Sequence, residues 1–372
     1  MSAPAGGPAV DPAVDPADSV DLPDLPDLPD LSNAFDVVEG HLLGERPSLT
    51  RVQVAEQAGV ELEVAEQLWR LLGFPHQTDD AVAFTPADVR ALELTHDLME
   101  LGILGPDSQA ALVRTWGRSY ARLAEWQTSL LADVAIDGSD PRRRLEELAG
   151  AVLPRVESLQ TYIWRRHLAG AASRLLTTEA TGTAVTSQSV CFVDIVGYTS
   201  HSKTLTESEL IDWIEQFEHT ATGTVVEHGG RIIKMIGDEI LFTTDDPVAA
   251  AEIALAMTER GADPDDPFPA VRAGLAHGPV VSRLGDVFGP VVNIAARLTS
   301  VARPGAVLVD RGAYRALAGL PADGAEDPAD EPDGGEPDGD PGTSAYRFRR
   351  TRRISVKGYP RLQCWVLRRP RG

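Results

Sequence analysis

The stretch RIIKMIGDEILF, residues 231–242, decides the fold. Two apolar runs flank a Gly-Asp pair, a pattern that predicts a β-hairpin with Asp238 at its turn. Lys234 lies four residues before Asp238. Upstream, a second aspartate, Asp194, ends the apolar run of SVCFVDIVGYTS. Downstream, GDVFGPVVNIAAR sets Asp286, Asn293 and Arg297 on a turn and the helix that follows. Mg²⁺ and Mn²⁺ suit a site with few protein carboxylates, completed by phosphate oxygens of a substrate, so two strand-end aspartates suffice. These parts together suit a nucleoside-triphosphate reaction assisted by two metal ions.

Each residue also has a plainer reading. Asp194 alone could cap the next helix, and Asp238 alone could be only a turn residue. Asn293 and Arg297 are spaced i, i+4, so they share one helix face. There an amide can hold a ribose oxygen, and a guanidinium can meet charge growing on a phosphate. Lys234 donating and Asp286 accepting match the N1 and N6 edge of adenine. Guanine presents the opposite pattern and calls for an acid at the lysine position. Lys357, in ISVKGY, is a candidate for the outer phosphates or simply one base in a basic tail. His167, in WRRHLAGA, is a candidate proton-responsive group or simply a helix histidine.

At 372 residues the chain predicts two domains plus tails. Its formal net charge of -22 disfavours nucleic acid and anionic membrane as partners. Two cysteines in apolar runs, Cys191 and Cys364, predict a reduced, cytoplasmic protein without a disulfide framework. The acidic, Pro-rich start does not read as a signal peptide, and no apolar run approaches the roughly 20 residues that span a bilayer.

Residues 1–31 read as a disordered acidic tail. Residues 32–176 read as a helical domain. Thr50 with Gln53 forms a capping box, Gly59 stops the first helix, and VELEVAEQLWRLLGF supplies the next, in a helix-turn-helix outline. Seven acids against three bases between Ser32 and Pro75 argue for packing against protein rather than DNA. Thr85 and Pro86 open a helix with an apolar stripe of Leu94, Leu98 and Leu101, and residues 107–136 and 141–176 read as two further long helices. From residue 177 strands and helices alternate around a mixed sheet. Residues 321–344 interrupt it as a disordered acidic loop, and the basic segment after it reads as a closing hairpin.

Taken together, FVDIVGYTS, KMIGDE, GDVFGPVVNIAAR and VKG resemble the class III nucleotidyl cyclase catalytic domain over about residues 186–368. The resemblance implies an α+β, ferredoxin-like palm and an obligate homodimer with sites at the interface. It implies Asp194 and Asp238 as ligands of two Mg²⁺ or Mn²⁺ ions, and Lys234 and Asp286 as adenine selectors. Asn293 would be the ribose contact and Arg297 the transition-state arginine. The metal ligands of one subunit would then work with the other four residues of its partner, converting ATP to 3′,5′-cyclic AMP and pyrophosphate. Residues 32–176 resemble, more loosely, the all-α regulatory domain of pH-responsive actinobacterial adenylate cyclases. That implies a transmitting helix at 159–176 and a proton, a lipid or another small molecule as effector. The rival readings are a diguanylate cyclase, since IGDEI resembles GGDEF, a guanylate cyclase, and a non-enzymatic helix-turn-helix regulator.

Overall fold

The computed structural model describes residues 40, 42–102, 106–136, 141–179, 186–321, 345–351, 354–356 and 358–370. The expected tail at 1–31, the acidic loop beyond Pro321 and Lys357 lie outside the described residues. The chain divides into two compact units, Met1–His167 and Leu168–Gly372.

In the first unit α1 (Arg51–Ala58) begins at the expected box: Gln53 N–H donates to Thr50 Oγ1, and Thr50 N–H donates to the Gln53 side chain. Gly59, at φ +67°, ends it in the left-handed region that favours glycine. Next come α2 (Leu62–Leu72), α3 (Pro86–Glu100) and α4 (Pro106–Ile136). Val54, Ala65, Leu68, Val89, Leu92 and Val113 form their shared core. A Cβ on Gly117 would come within 2.3 Å of the Leu72 carbonyl oxygen, so α4 rests on the end of α2 through a bare backbone.

Two expectations need correction here. Residues 141–176 are not one helix. They form α5 (Pro141–Ala151) and α6 (Leu153–Glu179), with the break just before Pro154, whose ring cannot continue a helix from the preceding turn. The stripe Leu94, Leu98 and Leu101 is exposed at 65%, 56% and 62%. The inward face of α3 is the one bearing Val89 and Leu92, because the α1–α2 core selects it.

The second unit holds β1 (Thr186–Ile195), α7 (Tyr198–His201), α8 (Glu207–Glu227), β2 (Arg231–Ile236), β3 (Glu239–Thr244) and α9 (Pro247–Arg260). It continues through β4 (Val271–Arg283), β5 (Asp286–Phe288), α10 (Pro290–Val301), β6 (Val307–Val309) and α11 (Arg311–Leu317). β7 (Arg347–Arg350), β8 (Ile354–Val356), β9 (Tyr359–Leu362) and β10 (Trp365–Arg368) close it. The sheet runs β2-β3-β1-β4-β6-β10-β7, with β5 paired to β4. Only β4 and β6 pair in parallel among these described strands. The basic segment is more than one hairpin: β7 pairs with β10, and β8 with β9 forms a separate two-stranded arm between them.

Alternation along β1 sends Cys191, Val193 and Ile195 into a core with Phe217 of α8 and Ile253 of α9. It sends Val190 and Phe192 to the other face, under Val291 and Ala295 of α10. α10 lies tight on β4, where a Cβ on Gly274 would meet Ala295 O and Thr299 N at 2.4 Å.

Asp310 caps α11. Its Oδ1 accepts the N–H groups of Ala313 (2.8 Å) and His277 (3.2 Å). Burial raises its carboxyl to about 6 despite these donors. The unfolded carboxyl ionises near 4, so between about 4 and 6 the folded state holds the extra proton. Stability from this group is therefore lost as pH rises through that window, on the order of 3 kcal/mol in full. Asp310→Asn keeps an acceptor and cannot ionise. The gap in melting temperature between variant and wild type should shift in the variant's favour from pH 4 to 6. Parallel melting profiles would refute this.

Candidate active site

The β2–β3 turn is two residues long, Gly237 and Asp238, with Ile236 opposite Glu239. Gly237 takes φ +62°, a value that favours glycine. The turn is tied to β1 by Ile195 N–H donating to the Asp238 carbonyl at 3.0 Å. That bond brings Asp238 beside Asp194, and both line a pocket of about 360 Å³. The walls also include Gly197, Ser200, Lys203 and Arg272.

Asp194 occupies the centre of one rung of the sheet, with Glu239 opposite it on β3 and Arg272 opposite it on β4. Arg272 donates to Asp194 Oδ2 from Nε at 2.7 Å and Nη2 at 2.6 Å, and reaches the Ser300 carbonyl at 3.3 Å. Burial raises the Asp194 carboxyl above its ordinary value; Arg272 opposes the rise and Asp238 adds to it. Glu239 is raised to about 7, by burial first, then by repulsion from Asp194 and Asp238. Sequence reading missed both neighbours of Asp194: Arg272, which lines the pocket, and Glu239, which pairs with Asp194 across the sheet. Their signal is the strand register, which only the fold reveals.

Lys234 and Asp286 meet as expected, with Nζ donating to Oδ2 at 2.7 Å. A bulge on β2 makes this possible. Ile232 and Met235 pack on the α8–α9 side and Ile233 on the α10 side, so simple alternation would send Lys234 toward the α8–α9 side. The register slips between Ile232 and Lys234 and turns Lys234 to the face where Asp286 stands. Burial pushes the Asp286 carboxyl up, but Lys234 and the Val287 N–H outweigh it and hold the group below its ordinary value.

Asn293 is exposed on α10 and Arg297 is half-buried one turn on. The N-cap of α10 is Gly289, so Asn293 does not cap it. Neither residue lines the pocket of Asp194 and Asp238, and neither do Lys234 and Asp286. The predicted residues thus form two groups on the α10 side of the sheet. The aspartate group lies by Ser300, at the end of α10, and the Lys234–Asp286 pair lies just before its start. Twelve residues of α10 separate those ends, roughly 18 Å at 1.5 Å per residue. His167 is exposed on α6, and its side chain has no hydrogen bond or ion pair among the described residues.

The donor set fits a divalent cation. Asp194 already carries a cationic group, the Arg272 guanidinium, as a stand-in, and Asp238 supplies a second carboxylate in the same pocket. No cluster of three or more His, Cys, Asp or Glu able to hold a metal occurs among the described residues. A cation held by these two carboxylates would take the rest of its coordination from substrate oxygens or water. No helix of the described residues is long and apolar enough to cross a membrane.

The adenylate and guanylate cyclase catalytic domain family matches this chain over residues 183–369. An adenylate cyclase of Glutamicibacter nicotianae is 36% identical, across 83% of this chain and 82% of its own length. An adenylate cyclase of Streptomyces coelicolor is 39% identical, across 73% and 72% respectively. A pH-sensitive adenylate cyclase of Mycobacterium tuberculosis is 31% identical, across 76% and 74%. With the Asp194–Asp238 pocket, the Lys234–Asp286 pair and the α10 face in place, the chain belongs to the adenylate and guanylate cyclase catalytic domain family.

Proposed function

We propose that this chain is an adenylate cyclase that forms 3′,5′-cyclic AMP and pyrophosphate from ATP at sites shared between two copies of itself. The observation that carries this reading is the separation of the two groups along one sheet face. A two-fold axis across that face would set the aspartate end of one chain against the Lys234–Asp286 end of its partner. The exposed apolar residues around the second end, Val281, Leu284 and Phe288, support an interface there.

Asp194 and Asp238 would hold two Mg²⁺ or Mn²⁺ ions, which supply charge neutralisation for the phosphates and acidify the attacking hydroxyl. Lys234 donates to adenine N1 and Asp286 accepts from N6. Asn293 orients the ribose so that its 3′-hydroxyl lies in line with the α-phosphate. Arg297 meets the negative charge that grows on the phosphoryl oxygens. Arg272 lines the same pocket and would be available to substrate phosphates if a cation took its place on Asp194. The helical unit would gate this site through α6, whose Leu159, Tyr162, Ile163 and Trp164 are exposed. His167, on the same helix, would serve if the effector is a proton.

The reading is tested by incubating the full chain with Mn²⁺ and either ATP or GTP and measuring both cyclic products. Cyclic AMP should dominate; cyclic GMP alone would overturn it. Lys234→Glu should lower turnover of ATP about 10²-fold and raise the GTP:ATP ratio, because the site then loses a donor and gains an acceptor. An unchanged ratio would remove Lys234 from base recognition.

A further inference from the structure

A cavity of about 890 Å³ opens at the other side of the sheet from β2, between α9, the α10–β6 connection and strands β6, β7 and β10. It shares no lining residue with the Asp194 pocket. In the strand order β10 lies three positions from β1, roughly 14 Å at the usual strand spacing. Leu255, Leu308 and Val366 contribute apolar wall. The charged lining is lopsided: Arg303, Arg349, Arg350, Arg368 and Arg369 stand against one carboxylate, Glu259.

That carboxylate is already used. Arg369 Nε donates to both Glu259 oxygens, at 2.9 and 3.1 Å, and its Nη1 donates to Glu252 at 2.5 Å. Tyr346 also donates to Glu252, at 2.6 Å. Arg350 meets a neutral partner, the Gln363 side-chain oxygen, at 2.8 and 3.1 Å once that amide is oriented to accept. Arg303, Arg349 and Arg368 are exposed and have no carboxylate partner among the described residues. In a chain of net charge -22, this is a local excess of positive charge. Gathered like charges repel one another and attract a counter-ion.

Guanidinium groups match phosphate oxygens in two-point contacts, and several around one cavity favour a ligand of more than one negative charge. The volume lies in the range of small-molecule sites, and the apolar wall can take an uncharged part of the ligand. We propose that this cavity binds a small phosphorylated molecule carrying two or more negative charges, at a site separate from the catalytic aspartates.

The test is calorimetric titration of the full chain with inorganic pyrophosphate, in EDTA and at low salt. Without metal, Asp194 and Asp238 repel such an anion, so binding at the catalytic pocket is suppressed. The expected result is saturable binding that weakens at least about tenfold in the Arg303→Gln, Arg368→Gln double variant and is unchanged in Arg272→Gln. Arg349→Gln, a single exposed change, should weaken binding in the same direction if the double variant fails to fold. Absence of binding would overturn the proposal, as would binding lost in Arg272→Gln but kept in the double variant. Binding that emerges only after deletion of residues 322–343 would also overturn it, assigning the cavity to the chain's own acidic segment.

Discussion

Arg297→Ala should lower kcat about 10³-fold and leave KM for ATP nearly unchanged. An arginine that meets charge present only in the transition state stabilises that state and not the bound substrate. Losing it costs about 4 kcal/mol of barrier. The side chain is half-buried on α10, and its main-chain carbonyl, not its guanidinium, accepts from Ser300 Oγ at 2.8 Å. The fold should therefore tolerate the change, with stability moving by less than about 1 kcal/mol. Steady-state kinetics with Mn²⁺-ATP and a thermal melt check both halves. A raised KM at unchanged kcat would make Arg297 a ground-state contact instead.

Asp194→Asn should be at least as damaging, with turnover down 10³-fold or more at any Mn²⁺ concentration, because an amide cannot replace an anionic metal ligand. Stability has opposing parts. The change removes the charge that Arg272 grips at 2.6 and 2.7 Å, but it also relieves repulsion among Asp194, Asp238 and Glu239. A fold that stays within about 2 kcal/mol of wild type is the expected balance. The same variant tests the rung directly. Burial and Asp194 are the two largest causes that hold Glu239 near 7, so losing the Asp194 charge should bring that carboxyl down. An NMR titration reads this without any turnover. An unmoved Glu239 would contradict the shared rung.

Local chemistry made much of this legible. A Gly-Asp pair between apolar runs specifies the β2–β3 hairpin, and Thr50-x-x-Gln53 and Thr85-Pro86 specify two helix starts, because caps and turns depend on a few neighbouring residues. Asp194 and Asp238 were visible as strand-end carboxylates. Arg272 and Glu239 were not, since their roles come from pairing register between distant strands. The bulge at Ile233 was equally hidden. It alters one residue of spacing, and without it Lys234 would sit on the wrong face to meet Asp286. The stripe Leu94, Leu98 and Leu101 shows the limit from the other side: periodicity identifies an apolar face but not whether this chain covers it.

Two inactive variants mixed together test the shared-site account most directly. Asp194→Ala and Arg297→Ala chains, each without cyclase activity, should be co-refolded or co-expressed in equal amounts and assayed for cyclic AMP. In a mixed dimer one site would carry both changes and the other neither. With random pairing half the dimers are mixed, so about a quarter of wild-type activity should return. No recovery, with mixed dimers confirmed by differential tagging, would contradict a site built from two chains.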